Sequence, residues 1–325
     1  MVLIAIVLLF ILLGSWHAYN VSFYSPRCRR PGPDIPLDDP QYESVADDIH
    51  RIAGIMGRYP CQEVTVTSFD GTKLFGRYYH LQDGAPVMIL VHGYRSHPFR
   101  DCSGGHALSR RMGFNALVID QRALGASGGH TISFGIKERK DCLCWIRYLN
   151  ERFGTDVPII LSGLSMGAAT VLMTTGLDLP ENVACVIADS PFSSPAAIIE
   201  KVCADKHYPV PVCRPFLYLG ALIFGGFRLG ACTAKDAVKR SKIPILLIHG
   251  EEDRFVPCGM SLEIAAACAA PTEVATFPGA GHGLSYLTDP IRYESVVCYF
   301  LRSVPTIRDT IRPEYIEELE RNMRN

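Results

Sequence analysis

Six short runs of apolar residues punctuate this chain: PVMILVHG, FNALVID, VPIILSG, VACVIAD, IPILLIHG and EVATFPG. None alternates polar with apolar positions, so each reads as a strand buried on both faces, and each is followed by ten or more residues compatible with a helix. Strand runs of this kind, spaced by helical stretches, stack into a parallel sheet covered on both sides. The helices are expected at about Asp101 to Met112, Gly135 to Phe153, Met166 to Thr175, Ser261 to Ala269 and Pro290 to Val304. Ahead of them, CQEVTVTSFDGTKLFGRYYHL alternates on both sides of Asp70-Gly71, the signature of an antiparallel hairpin. The expectation is an α/β fold with a mostly parallel eight-stranded sheet. In such a sheet ligands collect at the carboxyl ends of the strands.

One of those ends is unusual. The strand in VPIILSG runs into Gly163-Leu164-Ser165-Met166-Gly167 and then into strong helix formers. A turn this tight needs glycine where a Cβ would clash, and it leaves the serine hydroxyl exposed on a strained elbow. Taken alone, the pattern is also that of a capping serine at a strand-to-helix turn. A serine nucleophile needs a base, and the base an orienting acid. Asp253 follows the strand of IPILLIHG, and His282 sits in the glycine-flanked loop PGAGHGLS after the last strand. Serine, acid and histidine thus come in the order that such a sheet requires. Glu251 and Glu252 are rival acids, since one residue of register decides which carboxylate faces the histidine; Asp253 is preferred. For an oxyanion hole, the first backbone N–H of the helix after Ser165, on Met166, points into the same space, and Tyr94 in LVHGYRSH is the candidate second donor. His92 and His249 read as buried residues that organise their loops.

These stretches, with VIDQRALGASGG, resemble the α/β-hydrolase superfamily, and more narrowly membrane-anchored bacterial serine hydrolases of the prolyl-oligopeptidase and serine-aminopeptidase groups. The resemblance covers about residues 60 to 304. It implies hydrolysis of an ester, thioester or amide through an acyl-enzyme, with Ser165 as nucleophile, Asp253 as acid and His282 as base, and with Asp120 and Arg122 bracing a loop. A serine peptidase would use the same triad. A non-catalytic membrane-anchored binding protein would lack one of its members.

The first thirteen residues, MVLIAIVLLFILL, carry no charge, and Trp16, Tyr19 and Tyr24 follow at a spacing that suits lipid headgroups. Residues 1–24 are therefore expected to be a single-pass anchor in the cell membrane, with 25–40 a proline-rich linker. Residues 41–304 form the hydrolase domain, its first helical stretch at Tyr42 to Met56, and 305–325 a helical tail. Arg27, Arg29 and Arg30 after the apolar run favour a catalytic body on the cytoplasmic side. The anchor is expected to take no part in the chemistry; the rival reading packs it over the active site with the apolar stretch Pro215 to Gly230. That stretch lies in an insertion at about 190–242, long enough for a small helical lid. Its two readings are an acyl-accommodating cap and a helix packed on the sheet.

A net charge of −1 with both signs interspersed argues against nucleic-acid partners. Twelve cysteines, several of them inside apolar runs such as Cys185 and Cys298, read as buried thiols, and Cys142 and Cys144 fall on different faces of one helix. With neither a metal-ligand cluster nor a dinucleotide fingerprint, no cofactor and no metal are expected. The expected partners are a small acyl or peptidyl substrate and the membrane.

Overall fold

The structure, a computed structural model, describes residues 2–26, 37 and 40–324. The arginine cluster and nearly all of the expected linker lie outside the described residues. Eight strands form one sheet: β1 (Gln62–Thr67), β2 (Lys73–Tyr79), β3 (Val87–Val91), β4 (Asn115–Asp120), β5 (Ile159–Leu164), β6 (Val183–Asp189), β7 (Ile245–Gly250) and β8 (Thr272–Phe277). Their order is β1-β2-β4-β3-β5-β6-β7-β8. β1 pairs antiparallel with β2, and β2 with β4; all other pairs are parallel. The hairpin closes where expected, with Gly71 at φ +83° and the Ser68 N–H donating to Thr72 O.

The main helices are α1 (Val2–Ser22), α2 (Ala46–Arg58), α3 (Ser103–Met112), α4 (Glu138–Phe153), α5 (Met166–Thr174), α6 (Pro195–Asp205), α7 (Val210–Ile223), α8 (Gly259–Ala267), α9 (Pro290–Ser303) and α10 (Pro313–Asn322). They cover both faces of the sheet. One core cluster joins Trp145, Leu172, Ile198 and Leu217 to one face; the other joins Ile49, Met112, Phe300 and Leu319 to the opposite face.

Several boundaries differ from expectation for local reasons. The helix expected from Asp101 breaks at Cys102, a short turn Pro98–Asp101 preceding α3. The helix expected from Gly135 starts at Glu138, because Gly135 takes φ +94° and the Glu138 carboxylate accepts the N–H groups of Ser133 and Gly135. Tyr42 lies in a 3-10 turn, Pro40–Val45, that precedes α2. The apolar stretch of the insertion becomes α7, which holds Pro215 within it and ends at Ile223, short of Gly230.

The inner end of α1, with the two residues after it, belongs to the core that backs the sheet. Tyr19 is 5% exposed and Phe23 fully buried, and Phe23 packs edge-on against Phe134 and Phe227. Tyr24 pairs with Thr131, and Trp16 lies against Phe224. Of the aromatic residues expected at the headgroups, Tyr19 is thus buried against protein and Tyr24 pairs with the body, whereas Trp16 touches Phe224 but stays 47% exposed.

Candidate active site

β5 delivers Ser165 to the carboxyl edge of the sheet at φ 56°, ψ −117°. Non-glycine residues rarely adopt this conformation, which is held here by close backbone approach. A Cβ on Gly163 would come within 2.4 Å of the Gly167 carbonyl, and one on Gly167 within 2.0 Å of Val91 O. The Ser165 N–H donates to Asp189 O (2.8 Å). The hydroxyl therefore projects from the entry of α5 toward the loop after β8.

There His282 Nε2 lies 2.9 Å from Ser165 Oγ, and His282 Nδ1 lies 2.7 Å from Asp253 Oδ2. The ionised carboxylate can only accept, so Nδ1 carries the proton and Nε2 is free to accept from the serine hydroxyl. Asp253 Oδ1 accepts the N–H groups of Phe255 (2.9 Å) and Val256 (2.7 Å). Burial alone would raise this carboxyl. Hydrogen bonds from His249, His282 and Val256 outweigh it and hold the group well below the usual carboxylate range. Glu251 turns away to Thr276, and Glu252 is exposed; of the three carboxylates only Asp253 bonds the imidazole.

The neighbouring histidines are braces. His249 Nε2 faces Val256 O (2.8 Å) and Asp253 Oδ2 (3.3 Å), and its Nδ1 faces Ser261 Oγ (2.7 Å). His92 is fully buried; its Nε2 accepts the Gln121 N–H, and burial lowers its pKa. Asp120 pairs with Arg77, and Arg122 with Asp141 and Asp70, so both residues of the DQRALG stretch hold the loop together.

The loop after β3 passes close to the serine. A Cβ on Gly93 would lie 3.3 Å from Ser165 Cβ, and the Gly93 N–H is taken by Asp101 Oδ2 (2.7 Å). Tyr94 comes next. Its ring stacks on Phe134 at 4.8 Å, and its hydroxyl, pushed up to about 12 by burial, donates to Ser22 O (2.9 Å) at the end of α1. Arg95 donates to Val21 O and Tyr24 O.

A cavity of about 290 Å³ opens beside Ser165 and His282. Its walls include Tyr42, Ile49 and Ile52 from the helical segment before the sheet, and Leu90, Tyr286 and Leu287. Sequence reasoning missed these wall residues and Asp101. The amphipathic pattern of α2 was visible, but nothing in it said that the helix borders the site.

Comparison with known proteins shows what the chain as a whole is similar to. A profile of the serine aminopeptidase S33 family matches residues 83–210, and one of the FSH1 serine hydrolase family matches residues 184–284. Protein YqkD of Bacillus subtilis is 26% identical over 241 residues, 73% of this chain and 77% of that protein. Pyrococcus furiosus esterase Pf2001 superposes with a TM-score of 0.62 at 21% identity, over 86% of this chain and 98% of that one. The acylaminoacyl peptidase of Pyrococcus horikoshii gives a TM-score of 0.54 at 17% identity, over 74% of this chain and 41% of the other. Strand order, the serine elbow and the likeness to Pf2001 together show an α/β-hydrolase fold, and the two overlapping profiles show similarity to serine hydrolases.

Proposed function

We propose that the protein is a serine hydrolase that cleaves an ester or thioester bond of a small acyl substrate through an acyl-enzyme on Ser165. The observation that carries this reading is the hydrogen-bonded chain from Ser165 Oγ through His282 to Asp253. In the proposed mechanism His282 Nε2 takes the hydroxyl proton as Ser165 attacks the carbonyl carbon, then returns it to the leaving group. Asp253 keeps the imidazole in the right tautomer and stabilises the imidazolium. The backbone N–H groups of Met166 and Tyr94 receive the oxyanion; that of Gly93 is already engaged. Water completes the cycle by the same route. The apolar wall of Ile49, Ile52, Leu90 and Leu287 suits an acyl chain.

A second reading, cleavage of an amide, is favoured by the serine aminopeptidase profile. Rates on matched acyl esters and aminoacyl amides separate the two. In both, α1 holds the catalytic body to a membrane: it is the one helix among the described residues long and apolar enough to cross a bilayer. The triad is tested by a fluorophosphonate probe followed by peptide mapping. The expected adduct is on Ser165, and Ser165→Ala should abolish labelling and lower turnover by a factor on the order of 10⁶. An adduct on any other serine overturns the assignment.

A further inference from the structure

The packing of α1 against the lid limits how α1 can meet a bilayer. Phe10 lies edge-on to Phe216 with ring centroids 5.9 Å apart, and Phe216 also covers Gly14. Gly220 sits against Ser15 O and Tyr19, and Phe224 against Trp16 and Tyr19. Contact positions on α1 and α7 rise together, so the two helices run parallel, both from the outside toward the core. Close approach depends on glycine: a Cβ on Gly220 would meet Ser15 O at 2.5 Å. Val210 begins α7 six residues before Phe216, or about 9 Å further out at 1.5 Å per residue. That puts it level with Ile4 to Leu8 of α1. The α6–α7 connection, with Asp205, Lys206 and His207 all exposed, is at the same level.

A full crossing would put all of α1 in the hydrocarbon, because about 20 residues span about 30 Å. It would carry α7 along, together with its connection to α6. Asp205, Lys206 and His207 would then travel most of the way across, and the Glu200–Arg214 pair would follow into the interior. A charge at the bilayer centre costs about 2.5–3.5 kcal/mol on an insertion scale, and Lys206 together with the Asp205–Lys201 and Glu200–Arg214 pairs would have to be carried in.

We propose that α1 enters one leaflet only, obliquely and from its outer end. The stripe opposite the α7 contact, Val2, Ile6, Leu9 and Leu13, lies deepest at Val2. These residues are exposed in the folded protein, Val2 at 75% and Ile6 at 58%. At the level where α7 begins, Lys206 faces the headgroups and Tyr208, 58% exposed, sits at the interface. Insertion of this kind reaches about 5–10 Å below the headgroups. It leaves the whole chain on the side from which it inserted and holds the lid against that leaflet. This rests on the reading of α1 as a membrane element, and is independent of the triad.

The depth profile of tryptophan along the stripe tests it. In a Trp16→Phe background the remaining native tryptophan, Trp145, is fully buried in the core. Single tryptophans at Val2, Ile6, Leu9 and Leu13 are reconstituted in phosphatidylcholine–phosphatidylglycerol vesicles brominated at different acyl depths. One-leaflet entry makes the quenching depth greatest for Val2→Trp, declining steadily to Leu13→Trp. A maximum at Leu9→Trp and Leu13→Trp, with Val2→Trp shallow, means a span and overturns the proposal while keeping the membrane reading. Absence of quenching at all four positions overturns both. Turnover of a short-chain ester by the same samples reports separately on the hydrolase reading.

Discussion

Ser165 keeps a backbone conformation costing on the order of 1–3 kcal/mol, and it can do so because Gly163 and Gly167 let three backbone segments meet beneath it. The same crowding aligns its hydroxyl with His282, whose other nitrogen is committed to Asp253. Changing Asp253→Asn should leave the fold intact but reduce turnover by roughly 10⁴, because the amide favours the wrong imidazole tautomer. Glu252→Gln, at an exposed carboxylate with no tie to the imidazole, should leave kcat within about twofold; a reversal of the two losses would refute the assignment of the acid. A second carboxylate nearby behaves differently. Burial raises Asp189 from 3.8 to about 6, against hydrogen bonds from Ser190 and Tyr293. Its contribution to stability is present in full below about pH 4, where both states are protonated, and is lost as pH rises through about 6, where the native state must hold a buried anion. The two-unit difference corresponds to about 3 kcal/mol. Urea unfolding of Asp189→Asn should therefore gain on the parent between pH 4 and 7. Parallel stability curves for the two proteins would refute the raised pKa.

At the scale of elements, what could be read from the chain alone follows the range of the interactions. The six apolar runs, the Asp70-Gly71 hairpin and the glycine-flanked serine are local patterns, and the structure places a strand or turn at each. Helix starts moved where a side chain several residues away decided them, as Glu138 does by capping the loop at Ser133 and Gly135. The pairing of α1 with α7 is the packing that the rival reading of the apolar run named, and the structure shows the two in contact; the sequence could not decide for it, because more than 190 residues separate the partners and each helix reads by itself as apolar. The cavity wall from α2 has the same cause. The inner turn of α1 shows how much such a pairing carries: Tyr94 and Arg95, beside the serine, tie down the carbonyls of Val21, Ser22 and Tyr24. Arg95 also places a cation at the negative end of the helix. Phe23→Ala, which empties a fully buried aromatic site, should cost about 3–5 kcal/mol of stability. Chemical unfolding measures this, and a loss below about 1 kcal/mol would mean that the inner turn is not part of the core.

For the whole molecule, the question is where the membrane element stops and the enzyme begins. A division after the apolar run would make the first two dozen residues dispensable for chemistry. The packing puts the division inside α1: outward of about Phe10 the helix offers exposed aliphatic side chains, and inward of Ser15 the helix and the two residues after it supply Tyr19 and Phe23 to the core and three carbonyls to the loop after β3. Two deletions separate these parts. Removing residues 2–9 takes away the exposed tip alone, so the protein should leave the membrane fraction while its unfolding midpoint and its kcat on a water-soluble short-chain ester stay within experimental error. Removing residues 2–26 also strips Phe23 from its aromatic neighbours and leaves the Tyr94 hydroxyl and the Arg95 guanidinium without their acceptors. That form should unfold earlier, expose apolar surface and aggregate, and its surviving fraction should lose kcat more than it raises KM, since a misplaced Tyr94 N–H weakens transition-state binding and not substrate binding. Equal behaviour of the two deletions would show that α1 is an anchor along its whole length and that the contacts of its last turn are incidental to catalysis.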